Sequence, residues 1–533
     1  MVRDITIRVE PRLAASRDKL LETVAKEAGI PVRSVNDICV VRRSVDARKR
    51  PVMLNLTVRL ASGDDREVVP AFRPVEYKKV SADAPRLIVV GAGPAGLFAA
   101  LEAIRLGMRP VVIERGRDVD ARRLDLAAIS REKKINPQSN YCFGEGGAGA
   151  YSDGKLFTRS KKRGSVEEVL QTFVQHGASP DILVDAHPHI GSDRLPHVIR
   201  EMRRTILECG GEVLFETCVD GLMTDGTRVT GVRCGDSSIP GDAVILATGH
   251  SAHDTFRMLA DAGVVMEAKG IAVGVRLEHP QELIDRIQYH SPSGRGKYLP
   301  AAEYSFVTQA EGRGVYSFCM CPGGVIVPAG SSDGELVVNG MSASARAGRW
   351  ANSGMVVEIH PGDFPEFSCH GPLEMLALQE SLERRMFEAA GGSIVAPAQR
   401  MLDFVEGRVS DSLPATSYAP GIMSCDLSAI LPPFISRRLR AGFRDFGRKA
   451  RGFLTNDAVM IGLESRTSSP VRVLRDNLSL QSVGMNGLFP AGEGAGYAGG
   501  IVSAAVDGIR CARAAAGMTG SDNSNKETEN DNT

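Results

Sequence analysis

The chain of 533 residues is short of several things, and each shortage closes off a class of function. It has no excess of either charge, since 64 Lys/Arg face 64 Asp/Glu. Nothing global therefore steers it toward nucleic acid or an acidic membrane. It has no apolar run fit for a bilayer. The uncharged stretch from Gly314 to Ser332 is broken by two prolines and several glycines and serines, and the apolar run from Leu87 to Leu101 is too short. It has no start of a secretory signal, because Met1-Val-Arg-Asp-Ile-Thr brings an acid and a strand-like alternation at once. Its ten cysteines form neither a disulfide-scaffold spacing nor a paired C-x-x-C zinc pattern. A reducing, cytoplasmic setting is expected, with no metal site and no membrane partner. A hydrophobic content of 43% leaves room for a large core in two to four domains.

What is present centres on Arg86 to Gly116. Leu87 to Val90 form an apolar run without polar alternation, as a strand buried on both faces should. Gly91, Gly93 and Gly96 then make a G-x-G-x-x-G. The first glycine allows the tight turn, the second leaves room for a pyrophosphate, and the third lets the next helix lie close to the sheet. Pro94 and Ala95 open that helix, whose free N–H groups and positive dipole end face the phosphates. A second strand, Pro110 to Ile113, delivers Glu114 eighteen residues after Gly96, the separation of an acid that grips a ribose diol. Arg115 follows as a further candidate contact. The same glycine pattern recurs at Gly144 and Gly494, but only the first copy has a strand before it, a helix after it and an acid beyond.

Residues 1–80 read as a small strand–helix–strand–strand module, with Gly29 ending its helix. Residues 1–85 carry 17 Lys/Arg against 12 Asp/Glu, and Arg42 to Arg50 form a basic hairpin tip. Such a tip suits an anion or RNA, although charged loops are most often simply solvated. Val69 to Pro85 reads as a linker. The glycine-rich run from Asn140 to Lys155, with Gly147 inside it, lacks any hydrophobic period and suits a backbone passing close to a flat ligand. His187 and His189 flank a proline and do not share a helix face, so they read as structural or substrate-adjacent. A buried strand from Ala243 breaks at Thr248-Gly249, where a hydroxyl and bare backbone can meet a nucleotide.

The region 251–450 reads as an inserted α+β substrate or cap region, with helices near Leu373–Ala389 and Ser436–Ala450. Within it Cys319 and Cys321 are the candidate catalytic residues. On a regular strand, side chains two apart share a face, and both thiols would then point the same way. The chain returns to glycine at Gly492-Glu493, followed by Gly499, Gly500 and Ile501 at the start of a helix reaching about Cys511. Residues 519–533 are polar enough to be a disordered tail.

Taken together, the first glycine motif with Glu114, the Ala-Thr-Gly strand end and the late Gly-Glu turn resemble the FAD oxidoreductases of the glutathione-reductase-like superfamily. Gly144-Glu-Gly-Gly-Ala-Gly, Ser152-Asp-Gly-Lys155, Cys319-Met-Cys-Pro-Gly-Gly324, Gly462-Leu-Glu-Ser-Arg466 and Gly492 to Gly500 look more closely like a bacterial family of FAD-dependent dehydrogenases of unassigned substrate. That resemblance implies a Rossmann-like α/β FAD-binding domain built from residues 85–250 and 451–518. It further implies that the first motif holds the ADP half of non-covalent FAD and that Val219 meets the adenine through its backbone. Gly492 and Glu493 would hold the ribityl and pyrophosphate, with the following helix aimed at the flavin. Glu493 departs from the commoner Asp, but the longer acid can still accept a ribityl hydroxyl. No second strand–glycine–helix unit follows before residue 450, so either NAD(P)H binds transiently over the flavin or the substrate or a protein supplies electrons. The expected function is an FAD-dependent oxidoreductase acting on a small organic substrate. The alternatives are an FAD-using RNA-modifying protein and a non-catalytic flavoprotein scaffold.

Overall fold

The structure, a computed structural model, describes residues 1–68, 72–158 and 164–530, with side chains as far as Thr519. Five parallel strands form the sheet that positions the site, in the order Leu488–Pro490, Ala243–Leu246, Arg86–Val90, Arg109–Ile113 and Glu212–Leu214. The outermost of these, Leu488–Pro490, arrives almost 400 residues after its near neighbour Arg86–Val90, roughly the reach needed to enclose everything between them. Strands from early and late in the chain therefore meet in one sheet. Helix Pro94–Arg105 and the last helix, Ile501–Asn530, pack on each other so closely that a Cβ on Gly508 would lie 2.0 Å from the Ala95 carbonyl.

The second large sheet is mainly antiparallel. Its central strands are Arg313–Pro328, Trp350–Ile359, Ile271–Pro280 and Val459–Glu464. On Ile271–Pro280 the residues Val273, Val275 and Leu277 face one way, into an apolar core shared with helices Glu374–Ala389 and Pro433–Lys449. Arg276 lies between them in the alternation, buried on the opposite face. That polar face is the one the site uses.

The N-terminal module folds as strands Val2–Val9, Val35–Asp46 and Met53–Ser62 with helix Arg17–Ala28, which Gly29 ends at φ +69°. Two cations of its basic tip are occupied within the protein. Arg43 ion-pairs with Asp185 at 2.6 Å and Arg48 with Asp46 at 2.8 Å. The stretch read as a linker lies against its neighbours, with the Val75 N–H donating to Gln175 at 2.8 Å and the Val80 N–H to the Cys209 carbonyl at 2.9 Å. Residues 69–71 of it lie outside the described residues. At the other end, helix Ile501–Asn530 runs past Cys511 and into the stretch expected to be a disordered tail. Residues 531–533 lie outside the described residues. Among the described residues no helix is long and apolar enough to cross a membrane.

Candidate functional site

A cavity of about 300 Å³ opens where the carboxyl ends of the parallel strands meet the polar face of the second sheet. Open α/β sheets bind ligands at this end of their strands. The first sheet contributes Gly91, Gly93, Pro94, Ala95, Glu114, Arg115, Val219, Thr248 and Gly249 to the wall. The loop around Gly147 and the C-terminal residues Glu493, Gly499, Gly500 and Ile501 complete that side. Three expected site residues, Gly96, Gly492 and Cys321, are not on the wall.

The glycines do different jobs. A Cβ on Gly96 would sit 1.9 Å from the Gly91 carbonyl, so this residue serves the close helix–strand contact. Gly492, at φ +75°, would collide with the Ala95 Cβ at 2.8 Å and is likewise a packing residue. Gly93 is the opposite case: its Cβ would meet nothing nearer than the Gly147 Cα at 4.0 Å. A Cβ on Gly249, Gly499 or Gly500 would have no protein atom within 4 Å. These positions form an open cradle on the cavity wall, and at Gly249 and Gly500 the positive φ favours glycine as well.

Glu114 closes the strand tip. Its Oε2 accepts the Ala92 N–H at 2.9 Å, and its Oε1 accepts those of Gly116 and Gly144 at 2.9 and 3.0 Å. One carboxylate thus ties the first glycine turn to the glycine-rich loop. About four acceptor sites exist on a carboxylate, so room remains for one ligand hydroxyl. Arg115 is held by Asp254 at 2.8 and 2.9 Å and lies 4.3 Å over the Phe143 ring. Glu493 receives a single long bond, from the Gly500 N–H at 3.4 Å, and burial pushes its carboxyl up to about 7.

On the facing wall the expected symmetry of Cys319 and Cys321 is lost. The strand shifts register between Phe318 and Cys321 and again before Gly324, and Cys319 takes φ +44°. Such irregularities re-aim side chains. Consequently Phe318 and Cys319, which are consecutive, both line the cavity, while Cys321 is buried behind them. Cys319 is exposed to the open cavity, and the protein packed around its thiol, opposed by nearby Lys155, pushes it up to about 11. Cys321 Sγ accepts from Arg276 Nη2 at 3.4 Å, and the same nitrogen donates to the Cys319 carbonyl at 2.8 Å. Arg276 is fixed in turn by Glu464 at 3.1 Å, Asn352 at 2.9 Å and Asn339 at 3.3 Å.

Sequence reasoning missed part of this wall. His250 lines the cavity directly after Thr248-Gly249, and burial, with Arg466 next, holds its imidazole down at about 3. Arg466, within Gly462-Leu-Glu-Ser-Arg466, donates to Glu383 at 2.8 and 3.1 Å, Glu335 at 2.7 Å, Ser331 at 2.8 Å and the Cys142 sulfur at 3.4 Å. Its five N–H groups are all occupied, so it braces the wall and is not available to grip a substrate anion. His187 pairs with Glu303 at 3.3 Å and His189 meets the Ser344 carbonyl at 3.0 Å, away from this wall. No group of three or more metal-ligating side chains occurs among the described residues.

Residues 270–467 match the family model described as FAD-dependent protein, C-terminal domain-like, and residues 1–61 match a domain of unknown function, DUF8436. A protein of Clostridium beijerinckii, described as uncharacterized, is 40% identical over 510 residues, 92% of this chain and 95% of that one. A probable electron transfer flavoprotein-quinone oxidoreductase, YdiS, of Escherichia coli is 32% identical over 165 residues, 30% of this chain and 36% of that one. Thiamine thiazole synthase of Aeropyrum pernix is 27% identical over 199 residues, 34% of this chain and 61% of that one.

Proposed function

The chain belongs to one family with the Clostridium beijerinckii relative, and its residues 270–467 match the FAD-dependent C-terminal domain-like model; from that premise we propose that it is an FAD-dependent oxidoreductase acting on a small organic molecule. One observation carries the reading. A single cavity is walled on one side by the glycine cradle and on the other by Phe318, Cys319 and Asn339. A nucleotide held by the first side would leave its reactive end facing the second.

The residues present fit FAD. Gly93, Gly249, Gly499 and Gly500 leave open the space that Cβ atoms would fill. The N-terminus of helix Pro94–Arg105 supplies unpaired N–H groups for a diphosphate. Glu114 retains an acceptor for a ribose hydroxyl, and Glu493 can offer one to the ribityl chain. Bound FAD would supply two-electron hydride chemistry, and the chain supplies orientation and electrostatics. Phe318 and Asn339 bound the substrate side, with Asn339 held in place through Arg276. Cys319 Sγ keeps its proton at neutral pH and so presents a proton, not a nucleophilic thiolate, to whatever occupies the cavity. His250 is neutral there and adds no charge of its own.

A bound flavin would take electrons from the substrate, from a transient NAD(P)H or from a protein donor. Purified protein should be yellow and release FAD on heating, in about one-to-one ratio with the chain. Anaerobic titration with NADH, NADPH and then dithionite would identify the donor. A colourless protein, or one releasing FMN, would refute the reading.

A further inference from the structure

Five arginines of the described residues are buried: Arg122, Arg276, Arg346, Arg466 and Arg475. Four have a carboxylate partner. Arg276 pairs with Glu464, Arg346 with Asp153, Arg466 with Glu383 and Glu335, and Arg475 with Asp507. Arg122 is the exception. It is fully buried and makes no direct ion pair among the described residues, although the Glu114 and Glu145 carboxylates favour its charge from farther away. Its Nε donates to the Asn140 carbonyl at 2.9 Å. Its Nη1 is shared by the carbonyls of Gly144 at 3.2 Å, Glu145 at 2.8 Å and Gly147 at 2.9 Å. Its Nη2 is buried with no partner. The guanidinium carbon lies 5.2 Å from the Tyr151 ring centroid, with the Tyr151 hydroxyl held by the Val119 carbonyl at 2.7 Å. An unpaired buried cation is costly, and here burial works against its charge.

What Arg122 sits behind explains why it is kept. The loop it holds is pinned to the glycine turn by the Gly146 N–H donating to the Ala92 carbonyl at 2.8 Å. A Cβ on Gly147 would lie 3.3 Å from the Gly93 Cα, so the loop and the glycine turn are nearly in contact. Gly147 and Ala148 both line the cavity. Peptide groups are planar, and the N–H points opposite to the C=O. With the Gly147 carbonyl turned toward Arg122, the Ala148 N–H is turned away from it, on a residue that lines the cavity.

We propose that Arg122 is the positioning residue for the diphosphate of a nucleotide in the glycine cleft, resting on the cofactor reading above. It acts in two ways. It fixes the Gly147–Ala148 peptide so that an N–H faces the phosphates, and it places behind that peptide a positive charge that the protein leaves unpaired. The ligand class follows from the charge: a nucleoside diphosphate unit, and not a neutral nucleoside, completes the site.

The test uses the full chain freed of bound nucleotide, titrated calorimetrically with ADP and with adenosine. The natural protein should prefer ADP. Arg122→Gln should weaken ADP by about 10-fold or more while adenosine changes by less than about 3-fold. Arg122→Lys, which keeps the charge without the fork, should restore a large part of the ADP preference. Equal weakening of both ligands in Arg122→Gln would show a purely structural residue and overturn the proposal. If Arg122→Gln fails to fold, the lysine variant decides: a retained ADP preference supports the proposal and a lost one overturns it. A natural protein that binds neither ligand would instead refute the cofactor reading itself.

Discussion

The two walls of the cavity are built by different physics. The glycine wall is backbone: turns at Gly91 and Gly93, the cradle at Gly249 and Gly500, and one carboxylate, Glu114, that ties N–H groups from Ala92, Gly116 and Gly144. Apart from the loop and the C-terminal turn, its first half lies within 25 residues of sequence. The facing wall is side chain. Arg276 reaches Glu464 across 188 positions and the Cys319 carbonyl across 43, and Arg466 reaches Glu335 across 131. A backbone site for phosphates requires bare, positive-φ or closely approached positions, and so it leaves a glycine pattern. A side-chain wall requires only that charges pair, and pairing can be satisfied from anywhere in the chain. The difference also sets how each wall should fail.

The largest effect is expected inside the glycine wall, between two residues three apart. In Gly96→Ala the new Cβ would sit 1.9 Å from the Gly91 carbonyl and 3.2 Å from Val89 Cγ1. The backbone of the tight turn at Gly91 cannot step aside, so a loss on the order of 4 kcal/mol or insoluble protein is expected. Gly93→Ala meets nothing within 3.9 Å of its Cβ except open cleft, with the Gly147 Cα at 4.0 Å. It should unfold within about 1 kcal/mol of the natural protein while FAD binds roughly 5- to 150-fold more weakly, the equivalent of 1–3 kcal/mol of overpacking. Urea denaturation and cofactor titration separate the two. Equal behaviour of the pair would mean that Gly93 is also a packing glycine.

Next in size is the facing wall. Arg276→Met leaves Glu464 buried and unpaired, which costs about 3–5 kcal/mol. Burial already raises the Glu464 carboxyl, and Arg276 opposes that rise. Adding Glu464→Gln to Arg276→Met should recover part of the loss, because the stranded charge is removed. If the double variant is no more stable than Arg276→Met alone, the pair is not coupled as the geometry implies.

These failures also mark what was legible in the sequence. The parallel sheet and glycine cleft were readable because buried strands and tight turns have local signatures. The Leu373–Ala389 helix appears as Glu374–Ala389 for the same reason, its apolar period being local. The bulge at Cys319 was not readable, since register shifts arise from what the neighbouring strand Trp350–Ile359 offers. Nor was Arg122, whose importance lies in a partner it lacks.

A third effect titrates the space between the walls. Glu493 has its carboxyl raised to about 7, so the folded protein holds that proton after the unfolded chain has released it. Its contribution is fully present below the ordinary value of 4.5 and is lost as pH rises toward 7. His250, lowered to about 3, does the reverse: its contribution is present above the ordinary 6.5 and is lost as pH falls. Between about 4.5 and 6.5 the two oppose each other. The difference between the natural protein and Glu493→Gln removes the histidine from view. That difference should decline with rising pH at no more than about 1.4 kcal/mol per unit and level off above 7. A pH-independent difference would show that Glu493 ionises as an exposed acid does.

The smallest expected effect distinguishes the two cysteines, and it tests whether the irregular strand serves the cavity or the core. Cys319 sits at φ +44° with its side chain on the cavity, whereas Cys321 is buried against Arg276. Glycine adopts a left-handed conformation without the penalty of a Cβ, though it gives the unfolded chain more freedom. Cys319→Gly should therefore lie within about 1 kcal/mol of the natural protein, the two terms nearly cancelling. Cys321→Gly gains nothing in φ and deprives Arg276 of an acceptor, and should cost roughly 1–3 kcal/mol. Alkylation provides an independent reading of the same geometry. Because its thiol is pushed up to about 11, Cys319 should react slowly with iodoacetamide at neutral pH and about tenfold faster with each unit of rising pH. Cys321 should stay unmodified while the protein is folded, and bound FAD should shield Cys319 if the cofactor reaches this wall. A rate that levels off near pH 8 would mean that Lys155 and Arg276 stabilise a thiolate, and Cys319 would then act as a nucleophile and not as a proton carrier.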